Sequence, residues 1–395
     1  MRPFVHSDAL IRARQIMGDH WREDLGFTVP HESVYPSLWL WDSCFHSIIW
    51  TALGEGRRAQ RELRAVFAAQ TTGGFVPHMN HALHPERHRS FWGIAGVSTI
   101  TQPPLYGHAM AVLAAAGIEI EEISNHVIAA FHHLFERRAT ACGLLQIIHP
   151  WENGTDDSPR WERWQTQPFD QRQWWEMKGK LVEALELEGR EAVRSEAFAV
   201  CPAGWNALVA WNAAEAAAVT GDRVLAAAAQ ELTTAIDQLS WNEALNTWID
   251  VDPKGRMTST IRTVDGLLGV LVTGYPDRAD RILAALAEPD EYGTPFGPPG
   301  VHPAEPTFDP KAYWRGGAWP PWNYLLRTAA DRRGHKEHAA AFDSALINGA
   351  CASGFSEYWD PITGAGQGAR PQSWSCLAAV PRELASPASL VSRRT

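Results

Sequence analysis

The chain has 395 residues, 45% of them apolar and 20% charged, with a formal net charge of -10. Such a composition belongs to a globular protein with a large core, and its scattered Lys and Arg residues leave no basic face for nucleic acid. No run reaches the roughly 18 apolar residues of a membrane span, and no signal-peptide pattern opens the sequence, so a cytoplasmic protein that does not engage membranes is expected.

Helical periodicity recurs from end to end. Ser7 is placed to cap a first helix running to Trp21, and further helices are predicted over 42–53, 55–71, 104–116, 121–140, 171–188, 204–219, 222–239, 260–273, 277–287, 319–333, 335–350 and 374–383. Between them lie long stretches dense in Gly, Pro, His and aromatic residues, at 73–103, 143–170, 241–258, 289–318 and 352–373. Loops of that length in a compact domain are usually functional. Strand patterns are few, the best being 144–149 and 247–251. No repeat of 20–50 residues is legible. These signals predict one all-α domain over 1–385, a closed ring of helix pairs whose long loops form a pocket at one end, followed by a frayed tail over 386–395.

The five cysteines, Cys44, Cys142, Cys201, Cys351 and Cys376, show neither CxxC nor zinc-ligand spacing and read as reduced thiols. The His-rich run His78, His81, His84 and His88 lacks a carboxylate to complete a ligand set, so no metal is expected; GGFVPHMNH instead reads as a lid hinged at Gly73 and Gly74. The anomaly is tryptophan, with 19 residues, many standing beside Asp, Glu, Asn or Arg in Gly/Pro-rich loops. That setting suits a concave surface holding a sugar between aromatic faces, whereas a core Trp needs only apolar neighbours.

Glycosidic hydrolysis needs two carboxyl groups, one to protonate the leaving oxygen and one to activate water or attack. Two aromatic loops offer them. In HPWENGTDDSP (149–159), Glu152, Asp156 and Asp157 compete, with an Asx-turn and helix cap at Asp157 or Ser158 as the structural alternative; spacing alone leaves the choice open, with Asp156 slightly ahead. In GFSEYWDPITG (354–364), Asp360 belongs to a turn, which leaves Glu357 as the better candidate base. Tyr35, Trp39, Trp41 and Asp42 at a loop-to-helix junction, Gln102 in TITQPPLYG, and Tyr313, Trp314, Arg315 and Trp319 in AYWRGGAW are placed to hold a polar ligand.

In that order along nearly the whole chain, YPSLWLWDSCFH (35–46), GGFVPHM (73–79), TQPPL (101–105), HPWENGTDDSPRW (149–161), AYWRGGAW (312–319), EYWDPITG (357–364) and QSW (372–374) resemble glycoside hydrolase family 63, in its branch of bacterial mannosylglycerate and glucosylglycerate hydrolases. The resemblance implies an (α/α)6 barrel and an inverting α-glycosidase with no cofactor and no metal in its chemistry. By the same resemblance the general acid falls on Asp156, the general base on Glu357, and sugar contacts on Tyr35, Trp39, Trp41, Asp42, Gln102, Trp151, Gly154, Tyr313, Trp319 and Gln372. The implied partner is a small carbohydrate; a homo-oligomer is compatible with this reading.

The chain departs from the family pattern at Asn153, where Ser is usual, and at Asp157, where Asn follows the acid. The added charge is expected to raise the pKa of Asp156. Arg190 and Arg194 are candidates for recognising a glycerate carboxylate. Other helical toroids rich in aromatics house sugar epimerases, terpene cyclases or inactive carbohydrate-binding proteins; the interleaving of Trp with Gln, Asn, Arg and Glu favours a sugar ligand, and both carboxylates being present favours catalysis.

Overall fold

The computed structural model describes residues 6–381 and Leu384, so the expected tail over 386–395 lies outside the described residues. The fold is mostly helical: α1 (His6–His20), α2 (Leu40–Ala52), α3 (Gly56–Phe67), the single-turn α4 (Arg89–Trp92), α5 (Tyr106–Ala115), α6 (Glu121–Arg137), α7 (Gln171–Glu183), α8 (Ala203–Thr220), α9 (Arg223–Leu239), α10 (Pro276–Ala285), α11 (Pro320–Arg332) and α12 (Lys336–Ser353). Two further segments, Val264–Leu271 and Ser373–Ala379, are 3-10 helices.

Hydrophobic pattern sorts these helices into two layers. α2, α5, α8 and α11 bury nearly every residue, as helices inside a large core do. By contrast α3, α6, α9 and α10 bury one stripe. Packing follows: α2 lies on α5, α5 on α8, α8 on Val264–Leu271, that segment on α11, α11 on Ser373–Ala379, and the last on α2, so the inner set closes on itself. Each inner member also packs on an outer one, as α2 on α3 and α11 on α12. α5 and α8 approach so closely that a Cβ at Gly107 would collide with the Asn212 carbonyl.

Connections differ sharply at the two ends of the ring. Passing from an inner helix to the next outer one takes only 53–55, 116–120, 221–222, 272–275 or 333–335, whereas the outer-to-inner passages span 21–39, 68–105, 138–202, 240–263, 286–319 and 354–372. All twelve expected site residues lie in the long passages or in the first turn of the helix that follows, which places them at one end.

Two of the long passages open with the same device. Trp21–Arg22 pairs with Phe27–Thr28, and Trp241–Asn242 pairs with Thr247–Trp248. In each hairpin the Trp indole donates to the Glu two residues on, Trp21 to Glu23 and Trp241 to Glu243. Two arginines of the next outer helix, Arg58 and Arg61 or Arg278 and Arg281, lie over the Trp ring, and Arg61 or Arg281 pairs with the Glu. The motif recurs too far apart in sequence for a short-period search to register it.

Several sequence expectations need correction. α1 begins at His6, so Ser7 lies inside its first turn. The helix expected over 171–188 stops at Glu183; Leu185–Glu188, whose LELE alternates with period two, turns at left-handed Gly189 and pairs with Glu191–Ser195. Leu144–His149 makes isolated bridges and no continuous strand, with Leu145 facing Ala139 and Ile147 facing Val200. Gly73 and Gly74 form no hinge. The Gly73 carbonyl accepts from His133 of α6, and a Cβ at Gly74 would collide with the Ala129 carbonyl, so this stretch is pinned to the outer layer.

Candidate active site

HPWENGTDDSP folds as two 3-10 turns with a short bridge between them. His149 caps the first turn by accepting the Trp151 N–H, Pro150 occupies its first position, and Gly154 ends it in the left-handed region at φ 77°. A Cβ on Gly154 would also stand 2.9 Å from the Trp41 ring, so glycine is required twice over. Ser158 caps the second turn, ahead of Pro159. From His149 to Trp161 every residue is buried except Asp156, which is half-buried.

The three carboxylates of the segment have unlike surroundings. Glu152 is fully buried, bonds the Arg138 guanidinium at 2.7 and 3.1 Å, and accepts the N–H groups of Thr101 and Ile148. It fastens the loop to its neighbours. Asp157 is also buried, tied to Lys178 Nζ at 2.6 Å and to Gln171 Nε2 at 3.0 Å. Asp156 alone takes no partner from another side chain among the described residues; its backbone carbonyl accepts the Trp174 indole at 2.8 Å, which locks the loop onto α7. Desolvation, with smaller contributions from Asp157 and Glu357, pushes its carboxyl up to about 7.

The expected effect of Asp157 is therefore outweighed. Its charge does raise the Asp156 pKa, but Lys178, which it holds in place, lowers that pKa by more. Beneath the loop, Arg160 bonds Asp250 at 2.7 and 2.8 Å and pairs with Asp265, which also accepts from Asn153.

Glu357 arrives from the other side of the ring. α12 ends at Gly354, and both Gly354 and Phe355 adopt positive φ, 71° and 60°, which is costly for Phe355 and turns the chain abruptly inward. Glu357 Oε1 accepts the Tyr35 hydroxyl at 2.9 Å and the Tyr313 hydroxyl at 3.3 Å, while Oε2 accepts the Ala369 N–H at 2.9 Å. Burial raises its pKa, and the three donors oppose that rise by favouring the carboxylate. Asp156 and Glu357 both raise the Tyr35 and Tyr313 pKa values, so the four groups lie near one another around one point. Asp360 accepts the N–H groups of Ile362 and Thr363 in the expected turn.

Most of the expected sugar contacts surround this point. Tyr35, Trp39 and Tyr313 are half-buried around it. Asp42 is buried in the first turn of α2, its pKa driven well up by burial and then by Glu357. The Gln102 side-chain oxygen lies 3.4 Å from the Trp41 N–H, and the Gln372 side-chain oxygen is buried without a partner among the described residues. Trp151 is enclosed by His78, Trp92, Phe91, His149 and Trp175.

Trp319 and Trp41, which the resemblance places among the sugar contacts, have buried rings. Trp319 is sandwiched between Trp314 at 3.4 Å and Tyr358 at 4.4 Å, both nearly parallel to it, and shows no exposed surface. Trp41 lies under Gly154 and against Trp314, Trp322 and Trp374. Both build the wall from behind.

Arg194 pairs with Glu186 and Glu196 on the surface, and Arg190 sits exposed beside the Gly189 turn, so neither serves the recess. Two other cations stand beside the Asp156 loop. Lys178 is buried on α7 among the Trp151, Trp174 and Trp175 rings. Arg315 donates to the Asp157 carbonyl at 3.1 Å and to the Gln165 side-chain oxygen at 3.3 Å, both neutral acceptors. A signal for Lys178 was available in the sequence: it falls on the apolar stripe of α7 with Trp174 and Leu181, where an unpaired lysine is rarely tolerated. Among the described residues no group of three His, Cys, Asp or Glu side chains is arranged to hold a metal; His78 and His81 instead bond Ser98 and Ser37.

Two carboxyl groups with unlike surroundings, close together among aromatic residues at one end of a closed ring of helices, are what a glycoside hydrolase needs. The model of the mannosylglycerate hydrolase MGH1-like glycoside hydrolase domain matches residues 35–375, and the chain belongs to that family. It is 27% identical to the mannosylglycerate hydrolase of Thermus thermophilus, over 90% of this chain and 96% of that one, and 26% identical to the glucosylglycerate hydrolase of Mycolicibacterium hassiacum, over 90% and 94%. The crystal structure of a Thermus thermophilus family 63 mannosylglycerate hydrolase with Tris and D-glycerate superposes with a TM-score of 0.84 at 25% identity, covering 94% of this chain and 99% of that one.

Proposed function

We propose that the chain is an inverting α-glycosidase acting on a small α-glucoside or α-mannoside of the glycosylglycerate kind, with Asp156 as general acid and Glu357 as general base. The observation that carries this reading is the contrast between the two carboxyls. Asp156 has no stabilising donor from a neighbouring side chain among the described residues and keeps its proton to about pH 7. Glu357 faces three donors that favour its charge. A protonated acid can deliver to the leaving oxygen, and an ionised base can draw a proton from water on the opposite face. Asp42, Gln102 and Gln372 supply polar contacts to the sugar, Tyr35, Trp39, Trp151 and Tyr313 its walls, and Gly154, Trp41 and Trp319 the space and backing.

The relatives above are hydrolases of mannosylglycerate and glucosylglycerate, and Arg315, bonded to neutral acceptors beside Asp157, is the cation best placed to meet a carboxylate in the leaving group. The scaffold suits one (α/α)6 domain in which two of the six inner members are 3-10 helices, and the unpaired cysteines suit the cytoplasm. Proton NMR of the first-formed sugar, over a panel of α-glucosides and α-mannosides with and without glycerate, is expected to show the β anomer appearing first. First appearance of the α anomer would replace single displacement by a retaining mechanism.

The same assignment fixes the pH dependence. Activity should fall on the alkaline side as Asp156 loses its proton through about 7, and on the acid side as Glu357 gains one at a pH above the ordinary glutamate value. Asp157→Asn removes a charge that raises the Asp156 pKa and leaves Lys178 free to lower it, so the alkaline limb of kcat/KM should move to lower pH by on the order of one unit. An alkaline limb that stays in place in this variant would detach it from Asp156.

A further inference from the structure

The aromatic packing does not stop at the rings around Glu357. Tyr35, bonded to Glu357, meets Trp39 edge-on at 5.7 Å; Trp39 meets His78 at 5.4 Å; His78 stacks on Trp151 at 6.5 Å; and Trp151 meets Trp175 of α7 at 5.5 Å. The first rings are buried or half-buried, but Trp175 is 60% exposed. Phe91, 37% exposed and carried by a different segment, packs against the same Trp151. Isolated exposed aromatics need no explanation. Here two from separate passages flank one buried ring, which makes a rim that neither segment could build alone.

The rim stands on the leaving-group side. α7 holds the Asp156 carbonyl through Trp174, and Lys178 lies over the Trp175 ring at 5.2 Å while bonding Asp157. An acid protonates the oxygen that departs, so whatever reaches past Asp156 toward α7 belongs to the leaving group. An exposed indole offers an apolar face with a polar edge and loses little conformational freedom on binding. It suits the C–H face of a sugar ring, whereas a three-carbon acid lacks the area to cover it.

We propose that Trp175, rimmed by Phe91, forms an outer subsite for a second sugar ring, so that the enzyme accepts α-glycosides whose leaving group itself carries a pyranose. This rests on the assignment of Asp156 as the acid and extends it to the substrate class. The tryptophan face takes the ring of the leaving group, Lys178 stays on Asp157 beneath it, and the acid works at the bond between that ring and the terminal sugar.

The test compares kcat/KM for maltotriose and methyl α-glucoside, and for α-mannotriose and methyl α-mannoside, in the wild type, Trp175→Ala and Trp175→Phe. The ratio of trisaccharide to methyl glycoside should fall about tenfold in Trp175→Ala, equivalent to about 1.4 kcal/mol of transition-state stabilisation, and be largely restored in Trp175→Phe. A ratio unchanged by Trp175→Ala, or a wild type that cleaves methyl glycosides but never the longer substrates, overturns the subsite. Saturation-transfer NMR with the same trisaccharides reads the contact without hydrolysis: signal transferred to the inner and reducing-end ring protons should be strong in the wild type and lost in Trp175→Ala. Absence of that difference also overturns the subsite, whereas transfer without cleavage of any glycoside would sink the glycosidase assignment and leave the subsite standing.

Discussion

Asp156→Asn lowers kcat by roughly 10²–10⁴-fold, the range a positioned general acid contributes, and leaves the fold intact. Among the described residues no side-chain bond to Asp156 exists to be lost, and the amide keeps the carboxyl's shape. The sign of the stability effect is also fixed. Asp156 holds its proton to about pH 7 in the folded chain, whereas an unfolded aspartic acid ionises near pH 4; above that lower value, folding works against ionisation. The variant should thus be at least as resistant to denaturation as the wild type near pH 7. Glu357→Gln should lose activity to a similar extent while its one amide oxygen can still accept from Tyr35 and Tyr313, at the cost of the Ala369 N–H bond. Steady-state kinetics beside thermal melts decide the matter; near-wild-type kcat in either well-folded variant would remove that residue from the chemistry.

Glu152→Gln has the opposite profile, with stability as the first casualty. The Arg138 guanidinium is 1% exposed and has Glu152 as its carboxylate partner. Removing one member of a buried, hydrogen-bonded ion pair costs about 3–5 kcal/mol, because the remaining charge stays out of water. Against a total stability of about 5–15 kcal/mol this is a large fraction. The denaturation midpoint should drop markedly, and activity should fall because Glu152 also ties Thr101, next to Gln102, and Ile148 to the Asp156 loop. A Glu152→Gln protein as stable as the wild type would show that the pair contributes nothing net. A second variant, Arg138→Met with Glu152→Gln, removes both charges and should recover part of the loss.

The layered ring was legible because its physics is carried by composition over many residues. Apolar-all-round α8 and single-striped α9 announce inner and outer positions without knowledge of any contact. Local turn chemistry was legible too, as at Ser158 and Asp360. What escaped were pairings between segments. Nothing near Glu152 announces Arg138 as its partner, and Lys178 meets Asp157 only because α7 folds back along the loop. Asp157 does raise the Asp156 pKa as its charge suggests, but sequence conceals the larger, opposite influence of the lysine it holds. Gly73 and Gly74 were read as freedom, when the missing Cβ atom at Gly74 instead permits close packing. Trp175 carried no distinguishing mark, since the aromatic doublet Trp174–Trp175 does not say which ring turns inward.

The unequal connections at the two ends of the ring separate two kinds of heredity within one chain. Cohesion resides in helices whose neighbours are joined by two to five residues, so insertions there would disturb packing directly. Recognition resides in passages several times longer, anchored at both ends and free to differ in between. Exchange of a single passage, such as the one carrying α7 and Trp175, could redirect the enzyme toward another leaving group while the helices it spans remain in place. A lineage of such enzymes can diversify its diet without renegotiating its architecture.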